Sequence, residues 1–300
     1  MPDGERVRVC GVQLAPELGR TAANAERVAH EIGLAAREGA RLIVFPEAAL
    51  TGYVFESRAE ALAAAVHPDG PELAAVARAC REAGAWAVCG AIERGGPAEC
   101  GWADLDATLY NTLFLVGPAG LADRYRKIHT LCLGVDRFTV PGREPLQVEE
   151  LPFGRVGLHI CYDGSFPETG RALRLLGAQL LLLPTNWPDL RLKRELVQIR
   201  AYENHVNYFA VNRVGAERGV EFRGGSCAAD VRGHLLLDAG SRPGRYAVEF
   251  DLSAADASHE IVSPGRYEYD RIADRRPDAY APLVAPVSEA GRTGGRRSEE

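Results

Sequence analysis

Residues Gly154 to Glu168 read GRVGLHICYDGSFPE. An apolar run from Val156 stops at Cys161, a tight Asp163-Gly164 turn follows, and Pro167-Glu168 opens a helix over Pro167–Leu176. Downstream, GAQLLLLP predicts a strand over Gln179–Leu183, followed by a long helix about Leu190–His205 and a strand over Tyr208–Asn212. The same alternation precedes it. A strand over Val7–Leu14 leads to a helix over Thr21–Glu38, whose Ala25, Val28, Ala29, Ile32 and Ala36 fall at helical spacing. A strand over Leu42–Phe45, a helix over Glu72–Ala83 and strands over Trp86–Ile92 and Leu109–Val116 follow. Strands near Ser226–Val231, Leu235–Leu237 and Tyr246–Asp251 close the pattern. Two tandem strand-helix-strand sets predict an α/β protein with two sheets packed together, each with helices on one face.

A cysteine at the end of a strand, facing a helix N-terminus, lies in the positive end of the helix dipole and near free backbone N–H groups. Both favour the thiolate, which is the nucleophilic form. Read alone, Cys161 is equally a small buried hydrophobe. Two other segments carry chemistry in the same kind of place. In RLIVFPEAALTGY (Arg41–Tyr53) a short apolar strand is stopped by Pro46, and Glu47 follows at once. In RYRKIHT (Arg124–Thr130) Lys127 comes just after a strand. Singly, Glu47 reads as a turn carboxylate and Lys127 as a solvated cation.

Together the three segments resemble the motifs of the nitrilase superfamily of carbon-nitrogen hydrolases, in the family's chain order, over roughly residues 6–285. PEAALTGY is similar to the glutamate motif, RKIHT to the lysine motif, and GLHICYDGSFPE with GAQLLLLPTNWP to the nucleophile motif. The resemblance implies a four-layer αββα sandwich of two mixed sheets and a catalytic set of Glu47, Lys127 and Cys161, working without a cofactor. It also implies a single domain over 1–285 and a homodimer or higher homo-oligomer whose tail (Ser263–Leu283) crosses an interface; composition, not the resemblance, predicts a disordered end over 286–300. Asp136, in GVDRFTVPG, is nearest to the family's second carboxylate.

Amide cleavage asks for these same groups. The thiol must lose its proton to a base, here Glu47, and the developing oxyanion needs donors, here the Lys127 ammonium and the backbone N–H of Tyr162. Glu47 then serves as acid and base in turn, which requires a raised pKa. Tyr162-Asp163 resembles the amidase branches, whereas nitrilases tend to carry Trp-Glu at that point. The expected substrate is therefore a small linear amide; nitriles, N-carbamoyl amides and acyl transfer to an amine are the alternatives. Gly164 and Ser165 stand where carbamoyl amino acid hydrolases often carry a carboxylate-binding arginine, a role left to Arg200 or Arg213. Tyr53, Asn186 and Trp187 are the candidate substrate-lining residues.

Composition narrows the partners. A formal net charge of −6 argues against nucleic acid. No apolar run approaches the roughly 20 residues of a membrane span, and the N-terminus lacks a secretory pattern. Seven cysteines are scattered without a CxxC pair, which fits reduced thiols and a cytoplasmic protein. Seven histidines show no HExxH, so no metal is expected. His129 reads as a solvated loop residue and His159 as a satisfied core residue. Gly95–Asp106 reads as a flexible loop and Ser288–Glu300 as a disordered tail.

Overall fold

Strand β1 (Arg6–Gln13) is buried from Val9 onward, so it is a central strand with neighbours on both sides. A computed structural model describes residues 6–96 and 107–286; the expected tail and residues 97–106 of the expected loop lie outside the described residues. Beside β1 lie β2 (Leu42–Val44), β3 (Trp86–Arg94), β4 (Leu109–Gly117) and β5 (Gly120–Arg126), with β14 (Gly244–Asp251) on its other edge. The order β14-β1-β2-β3-β4-β5 is mixed: β1, β2 and β3 run parallel, and the remaining pairings are antiparallel.

A second six-stranded sheet repeats the plan. It contains β6 (Val148–Leu151), β7 (Gly154–Leu158), β8 (Leu180–Thr185), β9 (Asn207–Asn212), β12 (Cys227–Ala229) and β13 (Leu235–Asp238) in the order β13-β12-β9-β8-β7-β6. Strands β7, β8 and β9 are its parallel centre. The hairpin β10 (Val214–Glu217) and β11 (Val220–Arg223) leaves this sheet after β9.

The period of two along each strand sorts side chains between the layers. Val7, Val9, Leu42, Val44, Val88, Leu113 and Leu115 share a core with Leu182, Phe209 and Val211 of the second sheet. Their sequence neighbours Cys10, Val12, Ile43, Phe45, Cys89 and Phe114 pack instead with Val28, Ile32 and Ala35 of α1 (Thr21–Arg37) and Leu73, Val76 and Cys80 of α3 (Pro71–Ala83). Helix α3 is punctuated as its sequence asks, with Pro71 at its first position and Gly84 in the left-handed conformation at its end, φ 62°. Leu173 of α4 (Pro167–Leu175) and Val197 and Ala201 of α5 (Lys193–Asn204) join the second sheet's core. The molecule is thus an α/β sandwich of two mixed sheets flanked by helices. Gly11 keeps the inner faces close: a Cβ there would fall 2.6 Å from the Phe209 ring.

The strand leading to Cys161 is shorter than its sequence reading, as are β2 and β12. The strand expected to run to Cys161 ends at Leu158, and Cys161–Ser165 form a 3₁₀ turn. Asp163 is the cause. Its carboxylate accepts the Ile160 N–H at 3.0 Å and its own N–H donates to the Ile160 carbonyl at 2.8 Å, which diverts the backbone from the sheet ladder.

The described residues divide after Ser258 into two compact units. The second holds a hairpin of β15 (His259–Ser263) and β16 (Tyr267–Asp270), followed by two short 3₁₀ turns. Among the described residues no helix is long and apolar enough to cross a membrane.

Candidate active site

Glu47 sits past the carboxyl end of parallel strand β2, the usual place for a site in an open α/β sheet. The chain then turns sharply through Ala48, at φ 52°, and the Leu50 N–H donates to the Gly90 carbonyl at 2.9 Å. Only glycine fits at position 90. A Cβ would lie 2.4 Å from the Ala48 nitrogen and 2.9 Å from the Glu47 Cα, so β3 could not rest against this turn. Lys127 follows β5 directly, its N–H donating to the Asn111 carbonyl at 2.8 Å. Asp136 lies in a 3₁₀ turn over Gly134–Arg137.

These side chains converge in a fully buried cluster. The Lys127 Nζ donates to Glu47 Oε1 at 2.8 Å and to Asp136 Oδ2 at 2.6 Å. Asn111 on β4, absent from the sequence reading, donates through Nδ2 to Glu47 Oε1 at 2.7 Å and to Asp136 Oδ1 at 2.9 Å. Burial alone would lower the Lys127 pKa, but the two carboxylates outweigh it and hold the lysine above its ordinary value. Burial likewise raises Glu47, against the pull of Lys127. Glu47 Oε2 is buried without a partner.

The second sheet contributes Cys161, buried at the head of its 3₁₀ turn with φ 45°. Here burial works against the thiolate that the turn favours. Burial pushes the Cys161 thiol up to about 12; the Glu47 carboxylate adds to the rise, and Lys127, the Thr185 hydroxyl and the Asn186 N–H oppose it without cancelling it. A dipole at a turn counts for less than desolvation when the sulfur is away from water. The resting group is a thiol that needs a base. The first hydrogen bond of the turn is from the Asp163 N–H to the Ile160 carbonyl, so the N–H of Tyr162 precedes the bonded register. The Tyr162 ring is 38% exposed and stands edge-on to Phe166 at 5.0 Å.

The candidate lining residues are all buried. Burial raises the Tyr53 hydroxyl, with Glu47, Asp136 and Cys161 adding to the rise, and the Tyr53 ring centroid is 6.0 Å from the Lys127 Nζ. Neither end of the Asn186 carboxamide has a partner. Trp187 packs in the core with Cys161, and its backbone is held by Asn212 through bonds of 2.8 and 3.1 Å. The arginines offered as carboxylate binders are engaged elsewhere. Arg213 pairs with Glu217 at 2.6 Å, and Glu217 accepts the N–H groups of Tyr53 and Val54, bracing the turn after Glu47. Arg200 pairs with Glu203 at 2.9 Å and leans on the Gly164 and Ser165 carbonyls at 3.4 Å.

The two histidine readings also change. His129 is tied to Asp163 through Nδ1 at 2.8 Å and stacks on Phe166 at 3.7 Å, rather than being solvated. His159 is buried as expected, with Nε2 2.5 Å from the Tyr208 hydroxyl, but its Nδ1 is unpartnered. Burial pulls its pKa from 6.5 down to about 4. Between those values the unfolded chain holds a proton that the folded protein refuses. The stabilisation is therefore intact above 6.5 and lost as the pH falls toward 4. Moving from pH 7.5 to pH 5 is expected to cost about 2 kcal/mol through this residue. Urea unfolding of wild type and His159→Gln at both pH values checks this: an acid-side loss of equal size in the variant removes His159 as its source.

Residues 6–259 match the family model for carbon-nitrogen hydrolases. The chain belongs to this family. It is 35% identical over 277 residues to a nitrilase of Pyrococcus abyssi, covering 91% of this chain and 99% of the relative. It is 36% identical over 269 residues to an (R)-stereoselective amidase of a Pseudomonas species, covering 88% and 90%. The structure of an amidase from a Nesterenkonia species shares the fold, with a TM-score of 0.75 at 24% identity over 94% of this chain and 97% of that one. A mutant of that amidase carries the acetamide moiety of fluoroacetamide on its active-site cysteine; it aligns at 25% identity with a TM-score of 0.73 over 92% and 96%. This carbon-nitrogen hydrolase is accordingly an enzyme, and among its described residues no cluster of His, Cys, Asp and Glu could hold a metal ion.

Proposed function

We propose that this carbon-nitrogen hydrolase converts small linear amides to a carboxylic acid and ammonia through a thioester on Cys161. The observation that carries the reading is what the buried cluster leaves over. A lysine ammonium has three N–H donors, and Glu47 and Asp136 take two of them. Glu47 holds Lys127 and Asn111 with Oε1 alone, which keeps Oε2 free. One donor and one basic oxygen are thus unspent beside a thiol that cannot ionise unaided.

In the reaction Glu47 takes the Cys161 proton as sulfur attacks the amide carbon. The carbonyl oxygen gains the negative charge and is met by the third N–H of Lys127 and the N–H of Tyr162. Glu47 returns the proton to nitrogen, the C–N bond breaks and ammonia leaves. Glu47 next takes a proton from water; the hydroxide attacks the thioester, the C–S bond breaks, and Glu47 passes its proton to the leaving sulfur, restoring the thiol as the acid departs. Asp136 and Asn111 hold Lys127 and Glu47 in place, and Tyr53, Asn186 and Trp187 line the acyl side.

We place the enzyme in the cytoplasm, supported by buried, unpaired Cys10, Cys80, Cys89 and Cys227. Exposed Leu175, Leu176, Ile199 and Tyr202 on or beside α4 and α5 support a homo-oligomer. The test is an amide panel assayed for ammonia release, with intact-mass trapping of the acyl adduct. Ammonia together with an adduct mapping to Cys161 is expected. Turnover of nitriles without amide turnover, or hydroxamate formation exceeding hydrolysis, overturns the reading.

A further inference from the structure

Asp163 takes no part in the chemistry above, yet it is fully buried and its two oxygens accept four hydrogen bonds. Oδ1 accepts the backbone N–H of His129 at 2.9 Å and its ring Nδ1–H at 2.8 Å. Oδ2 accepts the Tyr125 hydroxyl at 2.8 Å and the Ile160 N–H at 3.0 Å. A carboxylate has about four lone-pair sites, so this one is saturated. A bond from the Thr169 hydroxyl to the Asp163 carbonyl at 2.6 Å anchors the same residue to α4.

The placement of those partners is informative. Tyr125 and His129 stand two residues before and two residues after Lys127, while Ile160 and Asp163 stand on either side of Cys161. One carboxylate therefore grips the chain on both sides of the lysine and both sides of the nucleophile, and these come from different sheets. The stacking of His129 on Phe166, at 3.7 Å and 10° between planes, ties the same two segments a second time.

We propose that Asp163 is a positioning residue that sets the distance and direction from the Lys127 ammonium to the Cys161 sulfur, and that this is why the charge is buried beside the turn. The proposal rests on the reading of Lys127 and Cys161 as donor and nucleophile. A carboxylate suits the task because it only accepts. In Asp163→Asn the amide keeps one oxygen, and its NH₂ faces donors instead of receiving them. The grip is lost on at least one side while the size of the residue is unchanged.

Asp163→Asn is expected to lower kcat on the order of 100-fold, the scale of an ångström of misplacement, with KM held within about threefold. Tyr125→Phe deletes a single bond and is expected to lower kcat about tenfold. Because Lys127 favours the thiolate, alkylation of Cys161 by iodoacetamide at fixed pH slows in both variants. A purely structural Asp163 would lower the melting temperature and leave kcat and alkylation within about twofold of wild type in folded protein, which overturns the proposal. If Asp163→Asn does not fold, Tyr125→Phe decides on the same two readouts. Wild type that hydrolyses no amide defeats the functional reading alone, since alkylation still decides the clamp.

Discussion

Cys161→Ala is expected to abolish ammonia release, by at least about 10,000-fold, and to leave the protein folded. The loss follows from the chemistry: alanine offers no atom on which the acyl adduct can form. The persistence of the fold follows from the turn. Its hydrogen bonds are made by Asp163, Ile160 and Thr169, and the sulfur holds none of them. Cysteine at φ 45° is also in a conformation that costs a side-chain-bearing residue roughly 1–2 kcal/mol. Alanine keeps that strain, and Cys161→Gly releases it, so the glycine variant should be equally inactive and at least as stable as the alanine one. Ammonia assays paired with urea unfolding of the three proteins check both halves. Turnover within about 100-fold of wild type in either variant would move the nucleophile elsewhere.

The second large effect is expected at Lys127, and it is a stability effect as much as a catalytic one. Its ammonium is the cation bonded to two wholly buried carboxylates. Lys127→Met keeps the length and volume of the side chain and removes the charge, leaving Glu47 and Asp136 side by side and uncompensated. Breaking a buried pair in this way costs about 3–5 kcal/mol. One carboxyl must then take up a proton, so the variant should regain part of its stability as the pH falls below neutrality, the reverse of the His159 contribution. Rate should fall by a further 100- to 1,000-fold or so, the usual cost of one oxyanion donor. Lys127→Arg should not rescue: a planar fork cannot replace three tetrahedral N–H groups aimed at Glu47, Asp136 and the substrate. An unfolding midpoint unchanged in Lys127→Met would show that the carboxylates do not depend on this lysine.

Much of this architecture was legible because its signals are local. Helix α1 carries apolar residues at helical spacing and was expected over Thr21–Glu38, against Thr21–Arg37 observed. Strand β8 reads as an apolar run up to Thr185, and β4 does so apart from Asn111 and Thr112. The elements without an expectation lack such a pattern. Helix α2 (Arg58–Ala64) has two buried residues and depends on a cap from Ser57 to the Glu60 N–H. Edge strand β6 is mostly half-exposed, and β10 and β11 bury only Val214, Glu217 and Phe222, too few for a periodic pattern.

At the site, the motif residues were visible because each follows a strand. Asn111 was missed although it had a signal, a carboxamide inside the apolar run LYNTLFLVG, where a buried polar group demands partners. Asp163 was read as half of a turn and as part of the Tyr162-Asp163 pair, not as a clamp, because its partners at Tyr125 and His129 are 38 and 34 residues away. The rise of the Cys161 pKa was illegible for the same reason: desolvation is set by what packs around the sulfur, and no local pattern reports it.

The pairing of β1 with β14 along its whole length has a consequence for biosynthesis. Strand β1 leaves the ribosome some 230 residues before β14, so its β2 flank is covered early while the other waits roughly 10–50 s at ordinary elongation rates. For that interval a row of backbone donors and acceptors is open to any passing strand. Holdase chaperones that shield such an edge should therefore govern the yield of this enzyme in cells more than its final stability does.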